Sequence, residues 1–464
     1  MMITRTVRWF DNRLGASGFA RKALNKIFPD HWSFMLGEIA MYSFLLLVLT
    51  GIYLSLFYVP SEATVTYDGS YGPLKGVQVS EAFNSVMRLS FDVRAGLVMR
   101  QTHHWAALVM MAAVIAHLCR IFFTGAFRRP REINWIIGVS LLLLTLGNGF
   151  TGYSLGDDQL SGTGLRIAYS VVISIPVIGE WIAFLLFGGD FPGENVLDRF
   201  FVIHIMIIPA AIFALLGAHL AILIRHKHTQ WALPGRTNDN VVGAKLWPTF
   251  AAKSLGLMFL TWGLLAGLGG LVQINPIWIW GPFEPAAVSS GSQPDWYVGW
   301  MEGALRLMPN WEIRAFGWTV PNPFWGGVLI PGLTFGLLFA WPFLEARFTH
   351  EDRMEHHLLD RPRDRPLRTA LGVATLTFYL VLFIAGGNDV LAAQFDVSVN
   401  AITYTLRVLV FVLPVVTAYI AYKLCKELAR RSPLPEPAST IVRRTPEGGY
   451  LDVEPPSVPV PGGR

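Results

Sequence analysis

The sequence has few cysteines and few charged residues for its length. Only Cys119 and Cys425 occur among 464 residues, which excludes a disulfide framework, and no C-x-x-C-H motif for covalent haem attachment is present. Charged residues account for 15% of the chain and hydrophobic residues for 53%. This balance excludes an ordinary water-soluble domain.

Long apolar runs are the dominant feature that remains. A hydrocarbon core of about 30 Å needs about 20 apolar residues in a helix that crosses it. Eight runs meet this requirement: 35–59, 105–125, 133–153, 200–224, 250–273, 325–345, 368–386 and 401–422. They predict an all-α polytopic membrane protein with eight transmembrane helices.

Basic residues cluster before the first run and after each even-numbered run. The positive-inside rule then predicts that both termini are cytoplasmic. These flanks also account for the net charge of +5, so no nucleic-acid partner is expected. The first run is long enough to span the membrane and is not expected to be a cleaved signal peptide.

Composition divides the chain into segments. Residues 156–198 form an outer segment that Pro176 and Gly179 interrupt, and we do not expect it to be a ninth span. The predicted segments are an N-terminal cytoplasmic segment (1–34), a first four-helix half (35–232), a linker (233–248), a second four-helix half (249–430) with a packed outer loop (275–323), and a disordered cytoplasmic tail (431–464).

The second and fourth runs each carry a histidine near either end. His103 and His117 are 14 residues apart, so both leave nearly the same helix face about 21 Å apart along the axis. His204 and His219 repeat this at 15 residues. His104 points about 140° away from His117. Because both helices run from outside to inside, His103 and His204 share an outer level and His117 and His219 an inner one. Two facing pairs of imidazoles predict two non-covalent haems, each with two histidine ligands.

Glycines in the first and third runs repeat the same interval. Gly37 and Gly51 are 14 residues apart, as are Gly138 and Gly152. A porphyrin between helices needs positions without side chains, which glycine supplies. Generic helix packing in the membrane is the other explanation for each pair.

Arginines lie beside the histidines in sequence. Arg100 and Arg199 lie just outside the outer histidines, and Arg120 lies just inside His117. Guanidinium groups suit haem propionates as partners. Simple anchoring at the membrane interface is an alternative for Arg120.

These motifs resemble the cytochrome b subunit of quinol:cytochrome c oxidoreductases over about residues 30 to 425. The segments that carry the resemblance are "LTGIYLSLFY", "RQTH", "GYSLGDDQLS", "RFFVIH" and "PDWY", together with Trp135. The 14/15 histidine spacing resembles bacterial and photosynthetic relatives more than mitochondrial ones, and "HKHTQ" followed by "PGRTNDNVVG" is similar to the actinobacterial branch. No cysteine occurs near the first run, so the third, covalent haem of some relatives is not expected.

The resemblance implies a function for the whole chain. Quinol, with menaquinol as the expected type, would be oxidised at an outer site. One electron would pass to a Rieske iron–sulfur protein and the other through two haems b to an inner quinone site, contributing to the proton motive force. The implied partners are the Rieske protein, a cytochrome c subunit and a terminal oxidase, in a dimeric complex of the bacterial plasma membrane.

The resemblance also implies site residues. Asp295 and Tyr297 would be catalytic together with Tyr153, and Asp295, which replaces a glutamate common in the family, would accept a quinol proton. Further positions implied by the resemblance are Pro294, Trp296 and Gly164 at the outer quinol site, Trp135 at a haem propionate, and His226 and His228 at the inner quinone site. Gly156, Asp157 and Asp158 replace the Pro-Trp-Gly that is frequent in the family.

Two other hypotheses fit part of the pattern. A dihaem membrane anchor of a dehydrogenase would explain the histidines but neither "PDWY" nor the second set of four helices. A proton-coupled transporter would use the histidines as relay groups and would be colourless.

Overall fold

The computed structural model describes residues 2–189, 191, 193, 195–287, 291–350, 353–431 and 441–453. Within these ranges, eight helical segments are long and apolar enough to cross a membrane, which confirms the predicted number. They are Trp32–Ser55, Gly96–Thr124, Glu132–Ser154, Val196–His226, Leu246–Leu271, Asn322–Thr349, Pro366–Gly386 and Val399–Arg430. Most extend beyond the predicted apolar runs because their polar flanking residues continue the helix.

The α-helices of the described residues are numbered in chain order. They are α1 Met2–Leu14, α2 Ala16–Leu24, α3 Leu36–Ser55, α4 Glu81–Phe91, α5 Gly96–Thr124, α6 Glu132–Ser154, α7 Gln159–Ile173, α8 Gly179–Phe187, α9 Val196–Val202, α10 Ile208–His226, α11 Ala251–Leu271, α12 Ile277–Trp280, α13 Gly299–Leu307, α14 Asn322–Phe324, α15 Ile330–Thr349, α16 Pro366–Gly386, α17 Asn388–Phe395 and α18 Val399–Arg430.

Short two-stranded sheets tie the loops together. The strands are β1 Ile27–Phe28, β2 Thr64–Thr66, β3 Gln78–Ser80, β4 Gln230–Trp231, β5 Ala244–Lys245, β6 Ile313–Ala315, β7 Trp318–Val320, β8 Leu358–Leu359, β9 Ile441–Arg444 and β10 Tyr450–Val453. The pairs are β1–β5, β2–β3, β6–β7 and β9–β10, all antiparallel, and the parallel pair β4–β8.

The two predicted halves of the chain are in direct contact. α5 packs on both α3 and α11, and a Cβ atom at Gly269 of α11 would overlap Thr102 of α5. Glycine therefore allows these two helices to approach backbone to backbone. On the other side, the Trp135 indole of α6 donates a hydrogen bond of 2.6 Å to the Leu338 carbonyl oxygen of α15.

A π-helical turn, Ile203–Ile207, joins α9 to α10 and contains His204. The Ile208 N–H bonds to the Ile203 carbonyl oxygen, five residues back, and Pro209, the next residue, has no N–H to donate. A π turn accommodates one extra residue in a helix. The 15-residue separation of His204 and His219 is thereby geometrically equivalent to the 14-residue separation of His103 and His117.

Both outer segments are folded. Residues 156–198 contain the short helices α7 and α8 and no ninth span among the described positions. Asp158 caps α7, because its carboxylate accepts hydrogen bonds from the backbone N–H groups of Leu160 at 3.0 Å and Ser161 at 3.2 Å. The predicted loop 275–323 contains α12, α13, the β6–β7 hairpin and α14.

The N-terminal segment, the predicted linker and part of the C-terminal tail meet at one end of the bundle. β1 pairs with β5 of the linker, and Val242 forms a β-bridge with Tyr450 of the β9–β10 hairpin. The prediction of a disordered tail is therefore wrong for residues 441–453, because the linker supplies a distant partner that the tail sequence does not reveal. Residues 432–440 and 454–464 of that prediction lie outside the described residues.

A buried ion network holds the loops after the sixth span. Arg368, which is 5% exposed, bonds to Glu345 of α15 through its Nε at 2.9 Å and to Asp360 through its Nη1 at 2.8 Å. Asp360 also pairs with Arg128 at 3.3 Å. Removing one member of such a network leaves a buried charge without its partner.

We expect Arg368→Met to lower the free energy of unfolding by about 3–5 kcal/mol, because Glu345 would lose its countercharge. Arg361→Met is the matched control, since Arg361 and Asp364 form a pair whose side chains are each 38% exposed and such pairs contribute about 0–1 kcal/mol. Thermal unfolding of the detergent-solubilised protein measures both. Equal destabilisation by the two substitutions would contradict this account of the network.

Candidate functional site

Each of the four paired histidines lies over one of the four predicted glycines. A Cβ atom placed on the glycine would lie 3.2 Å from His117 Cε1 at Gly37, 3.3 Å from His103 Cε1 at Gly51 and 3.8 Å from His219 Cε1 at Gly138, and would overlap the His204 ring at Gly152. The rings of α5 thus lie against α3, and those of the π turn and α10 lie against α6. The structure brings together the histidine and glycine sets that the sequence paired by interval alone.

The outer histidines face each other. The ring centroids of His103 and His204 are 6.3 Å apart and their planes are inclined by 68°. His103 Nδ1 lies 2.9 Å from Thr50 Oγ1, and His204 Nδ1 lies 2.9 Å from the Asn148 carbonyl oxygen. Because Nδ1 is held in each ring, Nε2 is the nitrogen left for a metal, which is the usual arrangement of a ligating histidine.

The inner histidines keep unused polar atoms. Nδ1 of both His117 and His219 is buried and has no hydrogen-bond partner among the described residues. The same holds for Nε and Nη2 of Arg120, whose guanidinium lies 4.4 Å from the Phe34 ring centroid. Buried polar groups are nearly always satisfied, so this end of the bundle fits an anionic or metal-bearing ligand.

A cavity of about 650 Å³ is lined by both outer histidines and extends from them to Asp295. This lies within the usual range for a ligand site, about 300–1,000 Å³. Its lining is mostly apolar, and its polar residues include Arg100, His104, Asp158, Asp295 and Tyr297. Nη1 of Arg100 is buried without a partner in the described chain, so a guanidinium donor is available at this cavity.

Asp295 is held at the cavity wall by two donors. His104 Nε2 lies 2.9 Å from its Oδ1 and 3.0 Å from its Oδ2, and the Tyr297 hydroxyl donates to Oδ2 at 3.2 Å. A Cβ atom at Gly149 of α6 would overlap this hydroxyl. Burial beside the Asp295 carboxylate raises the pKa of Tyr297 well above its usual value, so the phenol stays protonated and donates.

The sequence did not identify His104 or Gly149 as site residues. His104 points away from the paired histidines, and no local signal in the sequence links it to a residue 191 positions away. Gly149 lies outside the 14-residue interval that singled out the other glycines. The adjacent histidines in "THHW" were the one available hint.

The other residues predicted for the outer quinol site contact one another in pairs, Tyr153 with Gly164 and Trp296 with Tyr297. The Tyr153 hydroxyl donates to the Leu160 carbonyl oxygen at 3.0 Å, and a Cβ atom at Gly164 would lie 3.3 Å from Tyr153 Cε1. Trp296 is 37% exposed and lies against Tyr297 with ring centroids 6.0 Å apart. Pro294 is partly buried beside Asp295 in the chain.

Two predicted propionate donors bond elsewhere. Nη1 of Arg199 donates to the carbonyl oxygens of Phe184 at 2.7 Å and Leu185 at 2.5 Å, near the C-terminus of α8. The indole N–H of Trp135 donates to Leu338. These contacts give Arg199 and Trp135 roles in joining helices and do not favour the predicted haem contacts.

The predicted inner-site histidines lie near the N-terminal segment. His228 stacks near Phe28 with ring centroids 4.6 Å apart, and its Nε2 is buried without a partner among the described residues. Burial, followed by the nearby Lys26, lowers the pKa of His228 to about 3. The His226 carbonyl oxygen accepts a hydrogen bond of 3.0 Å from Arg131, and its ring Nδ1 is also buried and unpaired within the described chain.

The two adjacent carboxylates of "GDD" have different hydrogen-bond partners. Asp157 adopts a positive φ of 47° and accepts a hydrogen bond from the Ser80 hydroxyl. Burial is the main cause that raises the pKa of Asp157 to about 6. Asp158 is fully buried at the start of α7, where burial raises its pKa against the lowering effect of the Ser161 hydrogen bonds.

Comparisons with known proteins give consistent matches. Residues 108–282 match the family model described as "Cytochrome b(N-terminal)/b6/petB". A cytochrome bc1 complex cytochrome b subunit of Streptomyces coelicolor is 50% identical over 97% of this chain and 83% of its own length. One from Mycobacterium tuberculosis is 50% identical over 99% of this chain and 84% of its own length. A solved structure titled "Hyperthermophilic respiratory Complex III" shares the fold, with a TM-score of 0.66, 21% identity, and coverage of 90% of this chain and 100% of that chain.

We expect the stability of the protein to fall as the pH rises from about 4 to about 6, in part because of Asp157. Its pKa is about 6 in the folded chain and has a reference value of 3.8, so in this window the folded state holds a proton that the unfolded state has lost. The loss reaches about 3 kcal/mol above that window. Asp157→Asn should remove this contribution, because an amide does not titrate and asparagine tolerates positive φ. Thermal unfolding between pH 4 and 7.5 measures the difference, and equal pH dependence of the two proteins would contradict it.

Proposed function

Because this chain belongs to the family of cytochrome b subunits of bc1-type complex III, we propose that it oxidises menaquinol at an outer site. It then passes electrons across the membrane to an inner quinone site. As a subunit of such a complex it takes part in quinol:cytochrome c oxidoreductase activity. The two hypotheses of a dehydrogenase anchor and a transporter receive no support from these relatives.

The placement of four buried imidazoles at two levels of the same helices, each against a glycine of a neighbouring helix, is the observation that carries the proposal. His103 faces His204 at 6.3 Å between centroids, and the gap suits two metal–nitrogen bonds of about 2 Å each. His117 and His219 lie against Gly37 and Gly138 at the other end of the same helices. We assign one haem b to each pair, and when bound the haems supply one-electron transfer. The chain's part is to hold the two levels about 21 Å apart along α5.

The part of the outer cavity next to Asp295 is the proposed quinol site, and the part at His103 and His204 is left for the outer haem. Asp295 lines it beside the outer histidine level, and a carboxylate within reach of a quinol hydroxyl accepts its proton. Tyr297 holds the carboxylate, and Tyr153 forms part of the wall. Pro294, Trp296 and Gly164 shape the site around these groups. The apolar lining suits the ring and tail of a quinol and excludes water from the proton acceptor.

Arginines with free donors are the proposed partners for the haem propionates. Arg100 lines the outer cavity with Nη1 unpaired, and Arg120 has two unpaired nitrogens at the inner end, in both cases with respect to the described residues. Guanidinium groups pair strongly with carboxylates. Neither Arg100 nor Arg120 forms a salt bridge within the described chain, whereas Arg368 pairs with Glu345.

The inner quinone site is proposed near His228 and His226. His228 Nε2 is buried and unpaired within the described chain. His31, from the same N-terminal segment as the Phe28 that contacts His228, lies against Trp231 with ring centroids 5.5 Å apart. A quinone carbonyl oxygen would accept a hydrogen bond from such a donor. His31 is a candidate that the sequence did not single out.

The proposed partners follow from the family. A Rieske iron–sulfur protein would take one electron at the outer site, a cytochrome c subunit would receive it, and a terminal oxidase would consume it. We propose a dimeric complex in the bacterial plasma membrane with both termini cytoplasmic. The meeting of β1, β5 and the β9–β10 hairpin supports placing segments near both termini on the same side of the membrane, and the basic flanks favour the cytoplasmic side.

Replacing His103 with leucine tests the assignment of levels. We expect loss of the outer haem and retention of the inner one, because His117 and His219 are unchanged. Dithionite-reduced minus oxidised spectra should therefore keep about half of the b-type absorbance. Retention of the full signal would contradict the ligand assignment, and an unfolded product is recognised by its loss of a cooperative thermal transition.

A matched glycine pair tests the packing of the rings. Gly152→Ala should reduce the outer haem signal strongly, because the new methyl group would overlap His204. Gly138→Ala should change the inner signal little, because its Cβ would lie 3.8 Å from His219, an ordinary contact distance. The two spectra, normalised to protein, provide the comparison. Equal tolerance of both substitutions would show that close contact at Gly152 is not required.

A further inference from the structure

His104 and Asp295 form a close polar contact between α5 and the loop that precedes α13. The imidazole Nε2 reaches both carboxylate oxygens, at 2.9 and 3.0 Å, and the two side chains are 17% and 16% exposed. An ionised carboxylate only accepts hydrogen bonds. Nε2 must therefore carry the hydrogen, and His104 is the donor.

This contact fixes the plane of the carboxylate. Asp295 would otherwise rotate about two side-chain bonds in a segment without regular structure. The N–H of His104 lies nearly midway between the two oxygens, and the Tyr297 hydroxyl bonds to only one of them. Each oxygen therefore keeps acceptor capacity for a third group from the cavity.

The position of His104 on α5 adds a second constraint. It directly follows His103, and consecutive residues on a helix point about 100° apart. One turn of one rigid helix therefore directs one imidazole toward His204 and the next toward Asp295. The carboxylate and the outer histidine pair are held in a fixed relation by α5, although they are far apart in sequence.

We propose that His104 is a positioning residue for quinol oxidation, holding Asp295 in the orientation in which it accepts a quinol proton. The inference rests on the proposed function and deepens it. In the reaction the quinol O–H bond breaks and its proton goes to an Asp295 oxygen. The second proton would be taken by a base outside this chain. The two electrons would be taken one each by the partner's iron–sulfur centre and by the haem that His103 and His204 would hold.

The fit between the two side chains is close. Glutamate at position 295 would move the carboxylate about 1.5 Å further along the side chain. The imidazole already lies at hydrogen-bond distance, so the longer side chain must turn away from His104. Aspartate and His104 thus form a matched pair.

The test compares His104→Gln with His104→Leu in the complete complex isolated from membranes. Glutamine can place an amide N–H near the position of the imidazole Nε2–H, and leucine cannot donate. Steady-state oxidation of 2,3-dimethyl-1,4-naphthoquinol gives kcat and KM. We expect His104→Leu to lower kcat about 10- to 100-fold, the effect of losing one hydrogen bond to a charged group, with little change in KM. His104→Gln should recover most of that loss.

Three further variants control the result. Trp105→Phe removes the neighbouring hydrogen bond of α5, from the indole to the Val272 carbonyl oxygen, and should leave the kinetics unchanged. Asp295→Asn should abolish most activity, and adding His104→Leu to it should cause no further loss. Asp295→Glu, which leaves α5 untouched, should be impaired about 10-fold or more, and adding His104→Leu to it should cause little further loss.

The outcomes distinguish a wrong role for His104 from a wrong assignment of Asp295 as the proton acceptor. If His104→Leu keeps wild-type kcat, or if glutamine is as defective as leucine, the positioning role is wrong and the proposed quinol site stands. If Asp295→Asn keeps its activity, the assignment of the proton acceptor itself is wrong. If His104→Leu loses the haem spectrum, its kinetics cannot be interpreted and Asp295→Glu becomes the test. Full activity of Asp295→Glu would contradict the proposal that the aspartate side chain is matched in length to His104.

Discussion

Burying four imidazoles within apolar helices is the constraint on which the rest of the structure depends. A polar ring in hydrocarbon is costly unless it is paired or bound, and these rings are packed against glycines on neighbouring helices. The outer two are further oriented by Thr50 and by the Asn148 carbonyl oxygen. Four helices must therefore keep a common register over the depth of the membrane. The π turn at Ile203–Ile207 is part of this register, because it absorbs the extra residue between His204 and His219.

The second half of the chain completes the site that the first half begins. α11 packs closely on α5 through Gly269, and the loop after α12 brings Asp295 and Tyr297 to the cavity beside the outer histidines. Gly149 of α6 leaves room for the Tyr297 hydroxyl. The proposed oxidation of quinol needs a proton acceptor close to an electron acceptor, and α5 carries both His104, which bonds to Asp295, and His103 of the outer pair. This relation explains why the two halves of the chain form one functional unit.

Local patterns in the sequence predicted much of this arrangement. Run length is a local property, so the eight spans followed from it, and helical periodicity gave the two histidine levels and their glycines. Contacts between distant segments were beyond such patterns. His104 meets Asp295 across 191 residues, Trp135 and Arg199 bond to carbonyl oxygens of other helices, and the tail hairpin pairs with the linker. Each depends on which surfaces meet after folding, and periodicity carries no information about that choice.

The number of haems per chain tests the central claim most directly. Pyridine haemochrome analysis of the purified, fully assembled complex measures non-covalent haem b, and quantitative amino-acid analysis measures the chain. Two facing histidine pairs predict two haems b per copy of this chain. A value of one or fewer in folded material would contradict the account, because at least one of the two buried pairs would then have no metal to bind.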